Sequence, residues 1–270
     1  MLLLNNTLLP SASLSLPNRG LAFGDGFFET LVVAHGRLRY ALHHHARMQR
    51  AARALYLTLP KSLASAGALE NTLVQLAQAN NLAEARLRVQ LWRGGGGRYT
   101  PLTDSVEWLA TAEAFVVDSS PIQNAGFAQE VQAIHSPLSF CKGPQAWLYV
   151  RAAHERQQRG LDEIILCSAA GHVAEAGAAA VFWLQAGTLY TPALETGCVA
   201  GVRRAHLLRA AQHQQLRCVE GLFTRENVLQ AEAVFTANVA AIRPVLRIKQ
   251  AEFPAQHPLL TALLGWEQEA

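Results

Sequence analysis

AFGDGFFET, residues 22–30, is the stretch that decides the fold of this chain. Its two glycines flank Asp25 and predict a turn, and the mostly apolar residues 27–33 that follow predict a strand. A two-residue turn at residues 35–36 then returns the chain and completes a hairpin. We therefore expect the first half of the chain to be built around a sheet.

The residues after this hairpin predict the rest of a first subdomain. Apolar residues at helical spacing indicate helices over residues 43–57 and 63–79. Alternating residues indicate strands over 86–92 and 106–115, on either side of a run of four glycines. We expect residues 1–116 to fold as a sheet with two helices.

A polar stretch, residues 117–126, predicts a linker to a second subdomain over residues 127–270. The predicted elements of that subdomain are strands at 131–135, 163–167, 180–184, 188–191 and 233–236, with helices at 146–159 and 202–216. The fold class is therefore α/β, or α+β, with two subdomains. A cleft between domains is a usual place for a small-molecule site.

The composition excludes several classes of function. The chain has 270 residues, 50% of them apolar, and a formal net charge of only +3, without a basic stripe that would bind nucleic acid. No apolar run has the length of a signal peptide or of a membrane span. The four cysteines lack metal-type spacing, so we expect reduced thiols and a cytoplasmic protein.

Lysine is scarce in this chain, which has only Lys61, Lys142 and Lys249. Lys142 is unusual among them because it stands between an apolar pair and the dipeptide Gly143-Pro144. The three consecutive histidines 43–45 do not predict a metal site, since neighbouring residues of a helix point in different directions.

Three features are compatible with an anionic ligand, although each also has an ordinary structural interpretation. Gly201 precedes a predicted helix, whose free amides would favour a phosphate, but it also simply starts a helix. Thr236 and Asn238 end a predicted strand, as polar residues commonly do. Arg47 lies on a predicted helix and, by itself, is equally compatible with a solvated arginine.

Six segments taken together resemble the class IV aminotransferase family, in order and spacing, over nearly the whole chain. They are AFGDGFFET at 22–30, HHARM at 44–48, GLDE at 160–163, GHVAEA at 171–176, YTP at 190–192 with GCVAGVRR at 197–204, and RPV at 243–245. Lys142 precedes Glu163 at the family's spacing between its Schiff-base lysine and an acidic segment. The resemblance implies pyridoxal 5'-phosphate and fold type IV, with a C-terminal pseudo-barrel and helices beside the N-terminal sheet.

The same resemblance implies a role for each matching residue. Lys142 would form the imine with the cofactor and act as the proton-transfer base, and Glu175 would keep the pyridine nitrogen protonated. The residues expected around the cofactor phosphate are Arg47, Val202, Arg203, Asn238 and Val239. The residues expected to contact the substrate are Phe28, His44 and Arg98.

The chain also departs from the family's pattern. Many relatives carry threonine at the position of Arg203, so only the backbone amide is expected to reach the phosphate there. Relatives that are branched-chain aminotransferases carry tyrosine near the position of Ala146, and many relatives carry asparagine at that of Gln145. We therefore expect no tyrosine contact to the phenolic oxygen of the cofactor.

The stretch RGGGGRYTP, residues 93–101, resembles the loop of 4-amino-4-deoxychorismate lyases. This resemblance implies elimination of pyruvate to leave 4-aminobenzoate, a step of folate synthesis. Arg98 on a flexible loop would suit a substrate with two carboxylates, although four glycines are also typical of a plain hairpin tip. The alternative is a D-amino-acid or branched-chain aminotransferase, which Glu29 favours. A binding protein without cofactor is disfavoured by Lys142 and Glu175.

The family resemblance also implies a homodimer in which loops of the partner subunit complete the pocket. A small amino substrate is the other expected partner. We expect neither nucleic acid nor a membrane.

Overall fold

The computed structural model describes residues 1–143 and 146–269, so Pro144, Gln145 and Ala270 lie outside the described residues. The helices are α1 (Arg19–Phe23), α2 (Ala41–Ala54), α3 (Ala66–Ala79), α4 (Trp147–Gln158), α5 (Val202–His213), α6 (Arg225–Leu229) and α7 (Pro258–Glu269). The strands of the first half are β1 (Leu2–Leu4), β2 (Thr7–Leu9), β3 (Gly26–Ala34), β4 (Arg37–Leu38), β5 (Ala85–Arg93) and β6 (Val106–Ala114). The strands of the second half are β7 (Ala125–Phe127), β8 (Glu163–Cys167), β9 (Val173–Ala176), β10 (Ala180–Gln185), β11 (Thr188–Pro192), β12 (Cys218–Gly221), β13 (Ala233–Ala237), β14 (Ile242–Val245), β15 (Arg247–Ile248) and β16 (Ala251–Glu252).

The chain divides into two compact units. The first holds residues 1–116 together with the described residues 141–143, and the second holds residues 117–140 and the rest of the chain. Residues 117–126, predicted as a linker, group with the second unit, and Ala125 already begins β7. The Lys142 segment is thus grouped with the N-terminal sheet.

The first unit is an antiparallel sheet in the order β2-β1-β6-β5-β3-β4. The predicted hairpin is confirmed: Ala34 pairs with Arg37, and His35 and Gly36 have φ angles of 52° and 73°. Two left-handed residues give a turn whose twist matches that of its strands. Because side chains of β3 alternate, Leu31 and Val33 are buried on the face where α2 and α3 pack.

The second unit contains two five-stranded sheets, in the orders β12-β11-β10-β13-β14 and β16-β15-β7-β8-β9. Alternation along β10 explains how the sheets are packed. Val181 and Trp183 share a core with residues of the second sheet, such as Ile165. Phe182 and Leu184 face the opposite way and pack with residues of α5 and α7. Helix α4 covers the far face of the second sheet. This α+β arrangement confirms the predicted fold class.

The predicted strand at residues 131–135 is wrong. Only Ala133 pairs, in a single bridge to Ser168. Strand β8 ends at Cys167, and Ser168 turns back by donating its amide to the carbonyl oxygen of His172 at 2.7 Å. Strand β8 therefore does not extend far enough for residues 131–135 to pair with it as a strand.

The elements that the sequence did not predict are mostly short. They include α1, with five residues, and β14 to β16, which follow the predicted strand at 233–236. The helix predicted at residues 63–79 is divided between a 3-10 turn, Lys61–Leu63, and α3. Within the described residues, no helix is both long and apolar enough to cross a membrane.

Candidate active site

Lys142 is held by the strand that decides the fold. The amide of Phe28 in β3 donates to the carbonyl oxygen of Lys142 at 2.9 Å. The Lys142 Nζ lies 6.0 Å from the centre of the Phe28 ring. The first unit thus brings together two predicted site residues that are more than a hundred positions apart in sequence.

A buried charge cluster lies between β3 and α2. Arg47 donates from Nε to Glu29 Oε1 at 2.8 Å and from Nη2 to Glu29 Oε2 at 2.5 Å. His44 Nδ1 lies 2.7 Å from the same Oε2. Burial by itself would raise the pKa of Glu29, but Arg47 and His44 together lower the pKa to about 2. Glu29 is therefore a permanent carboxylate at neutral pH.

His44 is fully buried, and burial lowers its pKa, although Glu29 acts in the opposite direction. Its ring is therefore neutral and donates from Nδ1, because a carboxylate only accepts. Its Nε2 is then an acceptor, buried and without a hydrogen-bond partner among the described residues. The predicted contact of His44 with a substrate stays a prediction.

Arg47, predicted to contact a phosphate, serves first to neutralise Glu29. Its side chain is almost entirely buried, and two of its nitrogens are committed to that carboxylate. A contact from the same guanidinium to a phosphate stays a prediction.

Phe28 lies on the sheet face opposite Glu29, because neighbouring residues of a strand alternate. The guanidinium carbon of Arg88 in β5 lies 3.8 Å from the centre of the Phe28 ring, within the range of a cation–π contact. Arg88 was not identified from the sequence. The available signal was the alternation of β5, which turns Arg86, Arg88 and Gln90 outward.

The side chain of Arg98, the predicted carboxylate anchor, is exposed. One position of its loop requires glycine. Gly97 has a φ of +92°, and a Cβ there would stand 2.3 Å from the carbonyl oxygen of Thr100. The predicted contact of Arg98 with a substrate carboxylate stays a prediction.

Glu175 occupies the third position of β9 and is buried. Its Oε1 accepts from the hydroxyl of Tyr149 at 2.7 Å, and its Oε2 accepts from the amide of Val199 at 3.1 Å. Two donors from α4 and from the segment before α5 thus fix the direction of the carboxylate. Tyr149 was missed in the sequence, although it lies one helical turn before the buried Ala152 and so faces the core.

The N-terminus of α5 and the turn after β13 lie beside the start of β10. A Cβ on Gly201 would stand 3.9 Å from that of Ala180, and Ala180 pairs with Ala237. The side chain of Asn238 accepts from the amides of Ala240 and Ala241 at 2.9 and 3.1 Å. Asn238 therefore shapes this turn, and the first amides of α5 lack helical acceptors in the same region.

The Arg203 side chain makes an ion pair with α7. It donates from Nε and Nη2 to both oxygens of Glu267 in α7, at 2.6 and 2.7 Å. Its Nη1 also donates to the carbonyl oxygen of Asn238 at 3.2 Å. Only the Arg203 backbone is therefore left for the predicted phosphate contact, which stays a prediction, as do the contacts of Val202, Asn238 and Val239.

Glu163, part of the GLDE segment, supports the turn before β10. Its Oε1 accepts from the amides of Ile164 and Gly177 at 2.9 and 3.2 Å. Burial raises the pKa of Glu163, and these amides act against that effect. Glu163 therefore has a structural role in the second unit.

The family model for class IV amino-transferases matches residues 26–249 of this sequence. The chain belongs to this family. Curated relatives include the aminodeoxychorismate lyase of Bacillus subtilis, 26% identical over 94% of this chain and 87% of the relative. The D-alanine aminotransferase of Bacillus licheniformis is 24% identical over 87% of this chain and 83% of its own length.

Solved structures show the same fold for class IV aminotransferases of different activity. The 4-amino-4-deoxychorismate lyase of Pseudomonas aeruginosa is 25% identical and has a TM-score of 0.86. The match covers 100% of this chain and 98% of the lyase. The branched-chain aminotransferase of Thermoproteus uzoniensis is 21% identical with a TM-score of 0.87, over 99% of this chain and 93% of its own. The predicted family membership is confirmed.

Proposed function

We propose that this chain is a pyridoxal-phosphate-dependent lyase that eliminates pyruvate from 4-amino-4-deoxychorismate and leaves 4-aminobenzoate. The observation that carries the proposal is the whole-length similarity to two such lyases, at 26% and 25% identity. The lyase-like loop at residues 93–101 supports the same choice.

The second unit fits a phosphorylated pyridine ring by the chemistry of its donors. Glu175 is a buried carboxylate with a donor on each oxygen, and a carboxylate can accept further hydrogen bonds. The helix N-terminus after Gly201 is a natural site for a phosphate. Glu175 would face the ring nitrogen, and the backbone of Val202, Arg203 and Val239 would hold the phosphate.

Each residue has a defined task in this proposal. When bound, pyridoxal phosphate supplies an aldehyde for the substrate amine and a ring that takes up electrons. Lys142 would hold the cofactor through Nζ, and the same atom would move the proton of the substrate. Arg98 grips one substrate carboxylate. Arg88, at the same Phe28 ring as Lys142, is placed to orient another.

The contacts of Glu29 give it a task that does not depend on an aminotransferase. Its carboxylate accepts hydrogen bonds from His44 and Arg47 on the helix-covered face of the sheet. In this proposal Glu29 contributes to stability. The aminotransferase alternative keeps its support from the similarity to D-alanine aminotransferases.

The test is an assay with the purified holoenzyme and 4-amino-4-deoxychorismate alone. We expect equal amounts of 4-aminobenzoate and pyruvate without any 2-oxo acid, because elimination needs no second substrate. A panel of D- and branched-chain amino acids with 2-oxo acids is measured in parallel. Efficient transfer in that panel without release of 4-aminobenzoate would overturn the lyase assignment.

We also propose a homodimer in which partner loops complete the pocket. Large apolar side chains of the first unit are exposed on the single chain, among them Leu16, Leu21 and Leu102, and Tyr99 is 93% exposed. A surface of that kind suits a partner subunit. Light scattering should give twice the mass of one chain, and the mass of one chain would contradict the proposal.

A cytoplasmic location completes the proposal. All four cysteines are free, and burial raises the pKa values of their thiols. Three of the four, Cys141, Cys167 and Cys198, are buried. Buried thiols are unreactive, and free thiols suit a reducing compartment.

A further inference from the structure

Arg19 in α1 lies under the glycine loop and is 5% exposed. Its Nη1 donates toward three consecutive carbonyl oxygens, those of Gly96, Gly97 and Arg98, at 3.3, 3.0 and 2.7 Å. One guanidinium nitrogen thus binds three consecutive peptides of the loop. The last of them belongs to Arg98, the residue predicted to bind the substrate carboxylate.

Arg19 is itself fixed from the other side. Its Nε donates to Asp25 Oδ2 at 2.8 Å, and Arg93 Nε donates to the same oxygen at 3.0 Å. Arg93 is anchored in turn through Nη1 to Asp104 and through Nη2 to the carbonyl oxygen of Leu55. The base of the loop is therefore a network in which two buried arginines share the carboxylate of Asp25, while the exposed Asp104 is a second partner of Arg93. Such a network rigidifies the groups it joins.

A second contact ties α1 to the loop. The Arg19 guanidinium carbon lies 5.0 Å from the centre of the Phe23 ring, and the rings of Phe23 and Tyr99 are 5.8 Å apart. Tyr99 is otherwise almost fully exposed, so this contact does not arise from burial in a core. Residues on both sides of the Arg98 peptide are thus held by α1.

We propose that Arg19 is a positioning residue for substrate binding: it holds the loop backbone so that Arg98 projects toward the substrate in a fixed direction. The inference rests on the proposed role of Arg98. Glycines lose more conformational freedom on ordering than other residues, so an unheld run of four would have to be ordered by the substrate itself. Arg19 removes that cost from substrate binding.

The experiment is a double-mutant cycle with Arg19→Gln, Arg98→Lys and the double variant, in the holoenzyme. Loss of a charge-assisted clamp should raise KM about tenfold, while kcat changes far less. If Arg19 acts through Arg98, the double variant should have nearly the KM of Arg98→Lys alone. Effects that multiply, or an unchanged KM in Arg19→Gln, would overturn the proposal.

A direct measurement of the loop accompanies the kinetics. Hydrogen exchange of the peptide covering residues 94–102 should be faster in Arg19→Gln than in the parent and unchanged in Arg37→Gln, which removes only an exposed ion pair with Glu70. Equal exchange in all three proteins would contradict the clamp. If Arg19→Gln does not fold, Arg19→Lys is judged by the same criteria, since lysine keeps the charge but cannot copy the guanidinium geometry.

Failure of the proposed lyase function can be distinguished from failure of the Arg19 proposal. A parent that releases no 4-aminobenzoate refutes the lyase, whereas the cycle is then run with whichever amino acid the enzyme transfers. Coupling of Arg19 to Arg98 would survive that outcome, and its absence would refute the clamp alone.

Discussion

At the scale of single residues, the contacts of Glu29 and Glu175 set two similar side chains to different tasks. Glu29 is surrounded by cationic and histidine donors on a face covered by α2. Glu175 receives hydrogen bonds from two neutral donors, a tyrosine hydroxyl and a backbone amide. The first arrangement neutralises a charge inside the fold, and the second leaves a carboxylate able to hold a further proton donor.

Glu29 should make the stability of the protein depend on pH. Its folded-state pKa of about 2 lies below its ordinary value of 4.5, so its contribution is complete above 4.5 and is lost as the pH falls toward 2. Glu29→Gln removes the buried carboxylate that neutralises Arg47 and should lower the free energy of unfolding at pH 7 by about 3–5 kcal/mol.

Urea unfolding at pH 7 and at acidic pH checks this prediction. The variant should lose less stability than the parent as the pH falls, because its amide does not titrate. Glu113→Gln, which removes an exposed carboxylate, serves as the control. Identical pH dependence in parent and Glu29→Gln would contradict the assigned role.

Tyr149→Phe should slow turnover without unfolding the second unit. The change removes one of the two donors that direct Glu175, and a hydrogen bond to a charged group contributes about 1.5–3 kcal/mol. We expect a fall in kcat of about tenfold or more and a changed visible spectrum of the bound cofactor. Tyr190→Phe is the matched control, since the Tyr190 ring packs on Trp183. Equal kinetics in both variants would show that Tyr149 is only a packing residue.

At the scale of elements, the turn between the 3-10 segment Leu194–Thr196 and α5 connects the Glu175 contact to the helix N-terminus. Gly197 has a φ of +91°, and a Cβ there would stand 2.7 Å from the backbone of Ile134. Two residues later, the amide of Val199 donates to Glu175. The conformation of Gly197 thus determines the positions of the Val199 amide and of the N-terminus of α5.

Gly197→Ala should therefore destabilise the protein more than Gly187→Ala. Both positions have positive φ, but a Cβ at Gly187 meets nothing within 4 Å. The shared backbone cost is about 1–2 kcal/mol, and overpacking should add about 1–3 kcal/mol at Gly197 alone. Thermal unfolding of both variants measures the difference, and equal losses would mean that the segment shifts without cost.

Regular patterns made the longer elements predictable. The hairpin of β3 and β4, strands β5 and β8, and helices α2 and α4 all follow from alternation, helical spacing or turn residues. Strands β14 to β16 have two to four residues each, too few for a period to show, and Pro244 interrupts the first of them. Their pairing depends on partners such as Ile122 and Ala125, which are distant in sequence.

The candidate site was predictable only where a motif marks the residue. The positions of Lys142, Arg47 and Glu175 were recognised by resemblance, but the partners that define their surroundings were not. Arg203 shows why: its carboxylate partner Glu267 lies in α7, and no spacing relates the two. Arg19 and Arg88 likewise acquire their contacts only when separate strands and loops come together.

At the scale of the whole molecule, the residues named in the proposed function belong to both compact units. Lys142, Arg88 and Arg98 belong to the first unit, and Glu175 and the residues after Gly201 belong to the second. A variant in one unit can therefore be tested against a matched control in the same unit, as in the comparisons above. The central claim is that Lys142 is the lysine that binds the cofactor.

The most direct test of the role of Lys142 is borohydride reduction of the purified holoenzyme, followed by peptide mapping with mass spectrometry. The chain has only three lysines, so the labelled peptide identifies the residue without ambiguity. We predict that the reduced cofactor is found on Lys142 alone and that Lys142→Ala carries none. A label on Lys61 or Lys249, or a parent protein that takes up no cofactor, would contradict the account.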